Sequence, residues 1–124
     1  MKNNKSSLVV GASTNPARYS NQAMHLLKEK NFPVYAYALR ENQMDEIKIE
    51  NDWSKFKDKN IHTVTLYVGP QNQNDLIDPI LALKPQRIIF NPGAENPEFE
   101  KKALDANIEI LRACTLVMLR TGQY

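Results

Sequence analysis

Short apolar runs alternate along the chain with longer stretches of helical period. Leu8-Val9-Val10, closing on Gly11, reads as a buried strand. Phe32 to Ala38 reads as a second, with Pro33 at its start, where a missing N–H is tolerable. Thr63 to Val68 is β-branched and aromatic and gives a third; Arg87 to Phe90 gives a fourth and Ile108 to Leu111 a fifth. Leu116-Val117-Met118-Leu119 allows a further short strand. These runs are continuous instead of alternating, which suits a parallel sheet covered on both faces.

Three helices fit between the strands. From Ser20 to Lys30, Ala23, Met24 and Leu27 form an apolar stripe, with Gln22, His25 and Glu29 facing water. From about residue 74 to 83, Leu76, Ile77, Ile80 and Leu81 recur at helical spacing, and Pro79 is expected to kink or delay that helix. The third has a full start signal: Asn96 as N-cap, Pro97 at the first helical position, and Glu98 near the positive end. Its expected stripe is Phe99, Ala103 and Leu104, and Asn107 is a left-handed stop. Between Arg40 and Lys59 polar residues dominate. A surface connection with one short helix near Trp53 is expected there. Strands alternating with helices imply an α/β sheet with right-handed crossovers.

Composition narrows the function classes. A chain of 124 residues is the size of one domain, 1–124, and leaves little room for separate cofactor and substrate domains. Sixteen Lys plus Arg against fourteen Asp plus Glu give +2, too weak a balance to imply a nucleic-acid partner. No apolar run approaches the ~20 residues of a membrane span. The polar start, residues 1–6, is expected to be flexible and is not a secretory signal. A lone thiol, Cys114, fits a cytoplasmic location.

In a parallel α/β sheet, ligands bind beyond the carboxyl ends of the strands. The first such loop runs from Gly11 to Ser20. Gly11 permits a tight turn beside Ala12. Ser13, Thr14 and Ser20 can donate to phosphate oxygens at a helix N-terminus, Asn15 lies in the same loop, and Arg18 adds a planar cation. The three-glycine dinucleotide fingerprint is not met, since Ser13 and Pro16 take its second and third glycine places. The second strand ends Ala38-Leu39-Arg40-Glu41, with a cation where an NAD site usually places an acid. The third ends Val68-Gly69-Pro70, a stiff turn. The fourth ends Asn91-Pro92-Gly93 and leads to Asn96, another helix start. An ordinary strand-to-helix turn and a solvated arginine explain each loop singly; their convergence on one edge argues for a site.

Taken together and in order, these residues resemble the stand-alone CoA-binding domain family, a Rossmann-like group similar to the N-terminal domain of the succinyl-CoA synthetase α subunit. Gly11, Ala12, Ser13, Asn15, Pro16, Arg18 and Ser20 fit the family's first loop. Val68 and Pro70 fit two places of its Val-Pro-Pro, and Pro92, Gly93, Ala94 and Asn96 fit its Pro-Gly-Ala-x-Asn. Cys114 stands where a cysteine follows the last strand. The second-strand ending departs from the family's Asn-Pro-Lys: Arg40 keeps a charge, while Ala38 and Leu39 lack the Asn-Pro geometry. The resemblance implies a single three-layer domain with a mainly parallel five-stranded sheet in the order 3-2-1-4-5. It also implies binding of coenzyme A or an acyl-CoA, without catalysis by the domain alone.

Catalytic readings are weaker. His25 lies on a polar helix face and His62 precedes the third strand, at the opposite end of the sheet. With Cys114 they form no triad or zinc spacing. Tyr19 is placed to stack on a base. Three classes therefore stand: a binder of CoA or acyl-CoA, possible as a homodimer; an NAD(P)-linked oxidoreductase or redox sensor; and a regulatory or scaffold subunit with a decayed nucleotide site.

Overall fold

The computed structural model describes residues 4–124. Seven strands form one sheet: β1 (Ser7–Val10), β2 (Val34–Tyr37), β3 (Asn42–Met44), β4 (Ile47–Glu50), β5 (Thr63–Leu66), β6 (Arg87–Phe90) and β7 (Glu109–Arg112). Their spatial order is β3-β4-β2-β1-β5-β6-β7, and every pairing is parallel except β3 with β4. Four helices join them: α1 (Tyr19–Glu29), α2 (Asn74–Ala82), α3 (Pro97–Asp105) and α4 (Thr115–Arg120).

The sheet separates two apolar layers because alternate residues face opposite ways. Leu8, Val10, Val64, Leu66, Ile88 and Phe90 meet Leu76, Ile80, Phe99 and Ala103 from α2 and α3. Val9 and Ile89 point the other way, toward Met24, Leu27 and Leu119 from α1 and α4. Both faces of β1, β5 and β6 are buried, which is why Leu8 to Val10 and Ile88 to Phe90 read as unbroken apolar runs and β5 as a β-branched one.

Two strands were not legible as such. The 40–59 stretch holds the short helical turn expected at Trp53, over Trp53–Phe56, but also the β3–β4 hairpin. Met44 pairs with Ile47 across a two-residue turn in which Asp45 has φ +51°. Ile47-Lys48-Ile49-Glu50 alternates buried and exposed, the period-two signature of a strand with one solvated face. The sheet therefore has seven strands and not five. The five expected strands stand 2-1-3-4-5 instead of 3-2-1-4-5, because β5 adds to the far side of β1. Counting the six parallel strands alone gives 3-2-1-4-5-6, with β4 filling the third place.

Two further expectations are corrected. Residues 116–119 are helical, not a strand: Leu116 and Leu119 are buried three residues apart while Val117 is 54% exposed. On α3, Leu104 is exposed; the inward position belongs to Glu100, which accepts from the Asn96 backbone N–H and from Arg112 Nε at 2.9 Å. α2 runs through Pro79, and Asn107 ends α3 with φ +63° as expected. Of the N-terminal segment expected to be flexible, residues 1–3 lie outside the described residues. Lys5 donates to the Tyr124 carbonyl and Ser6 to the Asn60 carbonyl.

Candidate functional site at the carboxyl edge

The strand order reverses between β1 and β5, and there the loops following the two strands leave in opposite directions. The crevice is a groove of about 1270 Å³ walled by the ends of β1, β2, β5 and β6 and the N-termini of α1 and α2. A smaller cavity of about 390 Å³ lies at the other end of the sheet, between the first halves of β2 and β4 and several lysines.

Gly11 makes the crevice possible. Its φ is +89°, and a side chain there would meet Val68 Cγ2 at 3.0 Å and the Tyr67 carbonyl oxygen at 3.1 Å. Gly93 has φ +94°, but a Cβ there would meet nothing within 4 Å, so the groove is open beside its backbone. That bare stretch is a place where a ligand can lie against the main chain.

The helix ends differ in a way that bears on charge. At α3, Asn96 Oδ1 accepts from the Phe99 N–H, and Glu98 and Glu100 stand in the first turn. At α4, the Thr115 N–H donates to Asn91 Oδ1. α1 has neither device: Arg18 precedes it with no side-chain cap, and no acid occupies its first turn. An eleven-residue helix thus presents its positive end, uncapped, to a groove lined by Ser13, Arg18 and Ser20. That is chemistry for an anion with several oxygens, such as a diphosphate.

The β5 and β6 loops are tied together by a buried glutamine. Gln73 is fully buried; its Nε2 donates to the Val68 carbonyl at 2.8 Å and the Ala94 carbonyl at 2.7 Å, and its Oε1 accepts from Asn96 Nδ2 at 2.9 Å. Asn91 makes a second tie, donating to Thr65 Oγ1 and the Leu66 carbonyl. Tyr67 lines the floor, and burial pushes its phenol up to about 12, so it stays neutral at any physiological pH.

Of the residues expected at the site, Gly11, Ala12, Ser13, Arg18, Ser20, Val68, Gly69, Pro92 and Gly93 line the groove. Thr14, Asn15, Arg40 and Pro70 are exposed outside its lining, while Asn91 and Asn96 hold loops together behind it. Tyr37, Tyr67 and the α2 residues Asn74 and Asp75 line it without having been singled out for it, and Tyr19 stands 69% exposed at its rim. Gln73 also escaped notice: one polar residue before a helix carries no signal that it will be buried. His62 sits at the far end of the sheet against Thr63, where burial lowers its pKa. No group of three or more His, Cys, Asp or Glu among the described residues could hold a metal. No helix among them is long and apolar enough to cross a membrane.

Known structures share this fold. A crystal structure of an uncharacterized protein superposes with TM-score 0.92 at 36% identity, over 99% of this chain and 100% of that one. A Thermus thermophilus protein, cell-free ID.343, follows with TM-score 0.85 at 21% identity, over 98% and 91% of the two chains. The Ca. Korarchaeum cryptofilum dinucleotide-forming acetyl-coenzyme A synthetase 1, solved with phosphate and ADP, shares the fold with TM-score 0.71 at 19% identity; the match covers 88% of this chain and 25% of that one. No curated protein matches the chain. The CoA binding domain model matches residues 5–120, nearly the whole chain and every loop of the groove, so the protein belongs to the CoA-binding domain family.

Proposed function

We propose that the protein binds coenzyme A or an acyl-CoA in the carboxyl-edge groove and performs no chemistry on it alone. The observation that carries this reading is the uncapped N-terminus of α1, facing the groove beside Ser13, Arg18 and Ser20. The diphosphate lies there, held by first-turn N–H groups, hydroxyls and the guanidinium, where aligned peptide dipoles favour negative charge. The adenosine lies toward the ends of β1 and β2, beside Tyr19 and Leu39. The pantetheine arm runs the other way, over Gly69 toward Gly93, where the main chain is bare. Among the described residues lining the groove, Asp75 is the one carboxylate and there is no histidine or lysine, and burial holds the Tyr67 hydroxyl neutral. Positioning is what this site can supply.

A ligand that binds the folded state raises the melting temperature by mass action. At a hundred times its dissociation constant the gain is about 2.7 kcal/mol, roughly 10 °C for a domain of this size. CoA is expected to give such a shift at a concentration where NADH and NADPH do not. Equal shifts from all three, or none, would overturn the assignment.

A further inference from the structure

We propose that the groove reads the diphosphate of its ligand and not the phosphate on the ribose, so that dephospho-CoA binds as well as CoA does. This rests on the CoA reading above and sharpens which part of the molecule is recognised. A ribose phosphate is a monoester and adds about −1.5 to −2 charges at neutral pH, so a site that reads it needs a cation or several donors. Among the described residues lining the groove, Arg18 is the one cation and Asp75 the one carboxylate. Arg18 immediately precedes α1, at the diphosphate position, and is not free for a second phosphate.

In a doubly wound sheet the sugar is read at the end of the second strand, by an acid for free hydroxyls or an arginine for a phosphate. Here β2 ends at Tyr37 and is followed by Ala38 and Leu39, and both of these line the groove. Neither side chain can donate a hydrogen bond. Leu39 is 84% exposed, an apolar group at the rim where a phosphate would need a donor. Arg40 is exposed, lies outside the lining and adjoins the exposed Glu41. Its attraction for a phosphate is screened by salt over about 8 Å at physiological ionic strength. The sugar corner therefore tolerates a phosphate in solvent without rewarding it.

The test is calorimetric titration of the full chain with CoA and with dephospho-CoA at one fixed ionic strength, repeated on Arg40→Ala. The inference expects CoA to bind less than fivefold more tightly than dephospho-CoA, and Arg40→Ala to leave both affinities within twofold. A CoA preference of fivefold or more overturns it while leaving the CoA reading intact, as does a larger loss of CoA affinity in Arg40→Ala. Failure of both ligands to bind overturns the CoA reading and the inference with it. Arg18→Ala separates the two phosphate positions: it is expected to weaken both ligands by the same factor, and a loss confined to CoA overturns the inference.

Discussion

The two sides of the groove are built on opposite plans. On the β5–β6 side, Gln73 joins the Val68 and Ala94 carbonyls to Asn96, and Asn91 joins β5, β6 and α4. Both amides are buried, Gln73 completely and Asn91 to within 2%. On the β2 side, the Ala38 N–H donates to the Glu50 carbonyl, and the chain then runs exposed from Leu39 to Gln43. The difference teaches where recognition is fixed. Loops locked before a ligand arrives lose little freedom on binding, so under the proposal above the β5–β6 side is a pre-organised wall for the pantetheine arm, while the diphosphate meets the α1 N-terminus between the two sides. The open side is where the proposal puts the sugar end, without discrimination.

The largest expected effect strikes the locked side. Gln73→Leu keeps the bulk but removes three hydrogen bonds and leaves the buried Ala94 carbonyl and the partly buried Val68 carbonyl without that partner. It should cost about 2–4 kcal/mol in urea unfolding, given roughly 1–3 kcal/mol for each group left unsatisfied and partial relaxation of the loops. A loss below about 0.5 kcal/mol would mean the loops hold without it, and the contrast between the sides would fail. Arg18→Ala comes next. Charge-assisted hydrogen bonds are worth about 1.5–3 kcal/mol, so CoA affinity should fall roughly ten- to a hundredfold by calorimetry, while the exposed side chain leaves unfolding unchanged. A drop in stability with no loss of affinity would remove the guanidinium from the site.

Gly69→Pro sharpens the comparison in the other direction. Gly69 has φ −63° and ψ 151°, which proline adopts without strain, and the nearest atoms to an added Cβ are the amide end of Gln71 at 2.9 Å. That flexible side chain can swing aside. The variant should gain about 0.4–1 kcal/mol through a less disordered unfolded chain, read as a rise in melting temperature, and a fall would show that the turn needs glycine's freedom. The smallest effect belongs to the open side. Leu39→Ser should change stability by less than about 0.5 kcal/mol. A cost above 1 kcal/mol would show that the leucine packs and that the side is not open.

Much of the fold around the groove could be read from the chain, and the reasons are local. Gly11, Gly93 and Asn107 were legible because a left-handed residue leaves few alternatives, and Asn96-Pro97-Glu98 because every part of a helix start is contiguous. The central strands were legible because burial on both faces leaves an unbroken apolar run. The β3–β4 hairpin was hidden by its solvated face, which dilutes Met44, Ile47 and Ile49 with charge. Helix α4 reads as a strand from sequence because the four-residue apolar stretch Leu116 to Leu119 fits either period; its packing on α1 decides. Gln73 and the Trp53–Tyr37 stack, with ring centroids 3.9 Å apart, depend on partners far along the chain and carry no local signature. Recognition of the family loops needed only residues adjacent in sequence, whereas the division between locked and open sides needed the fold.

The central claim is that CoA occupies the carboxyl-edge groove against the α1 N-terminus. Its most direct test is a titration of the ¹⁵N-labelled protein with CoA, following every backbone amide. The account predicts that the largest shifts fall on Gly11–Ser13, Tyr19–Asn21, Val68–Gly69 and Gly93, with little change at Lys48 and Lys59 around the smaller cavity. Shifts concentrated at that opposite end of the sheet, or none up to millimolar CoA, would contradict it.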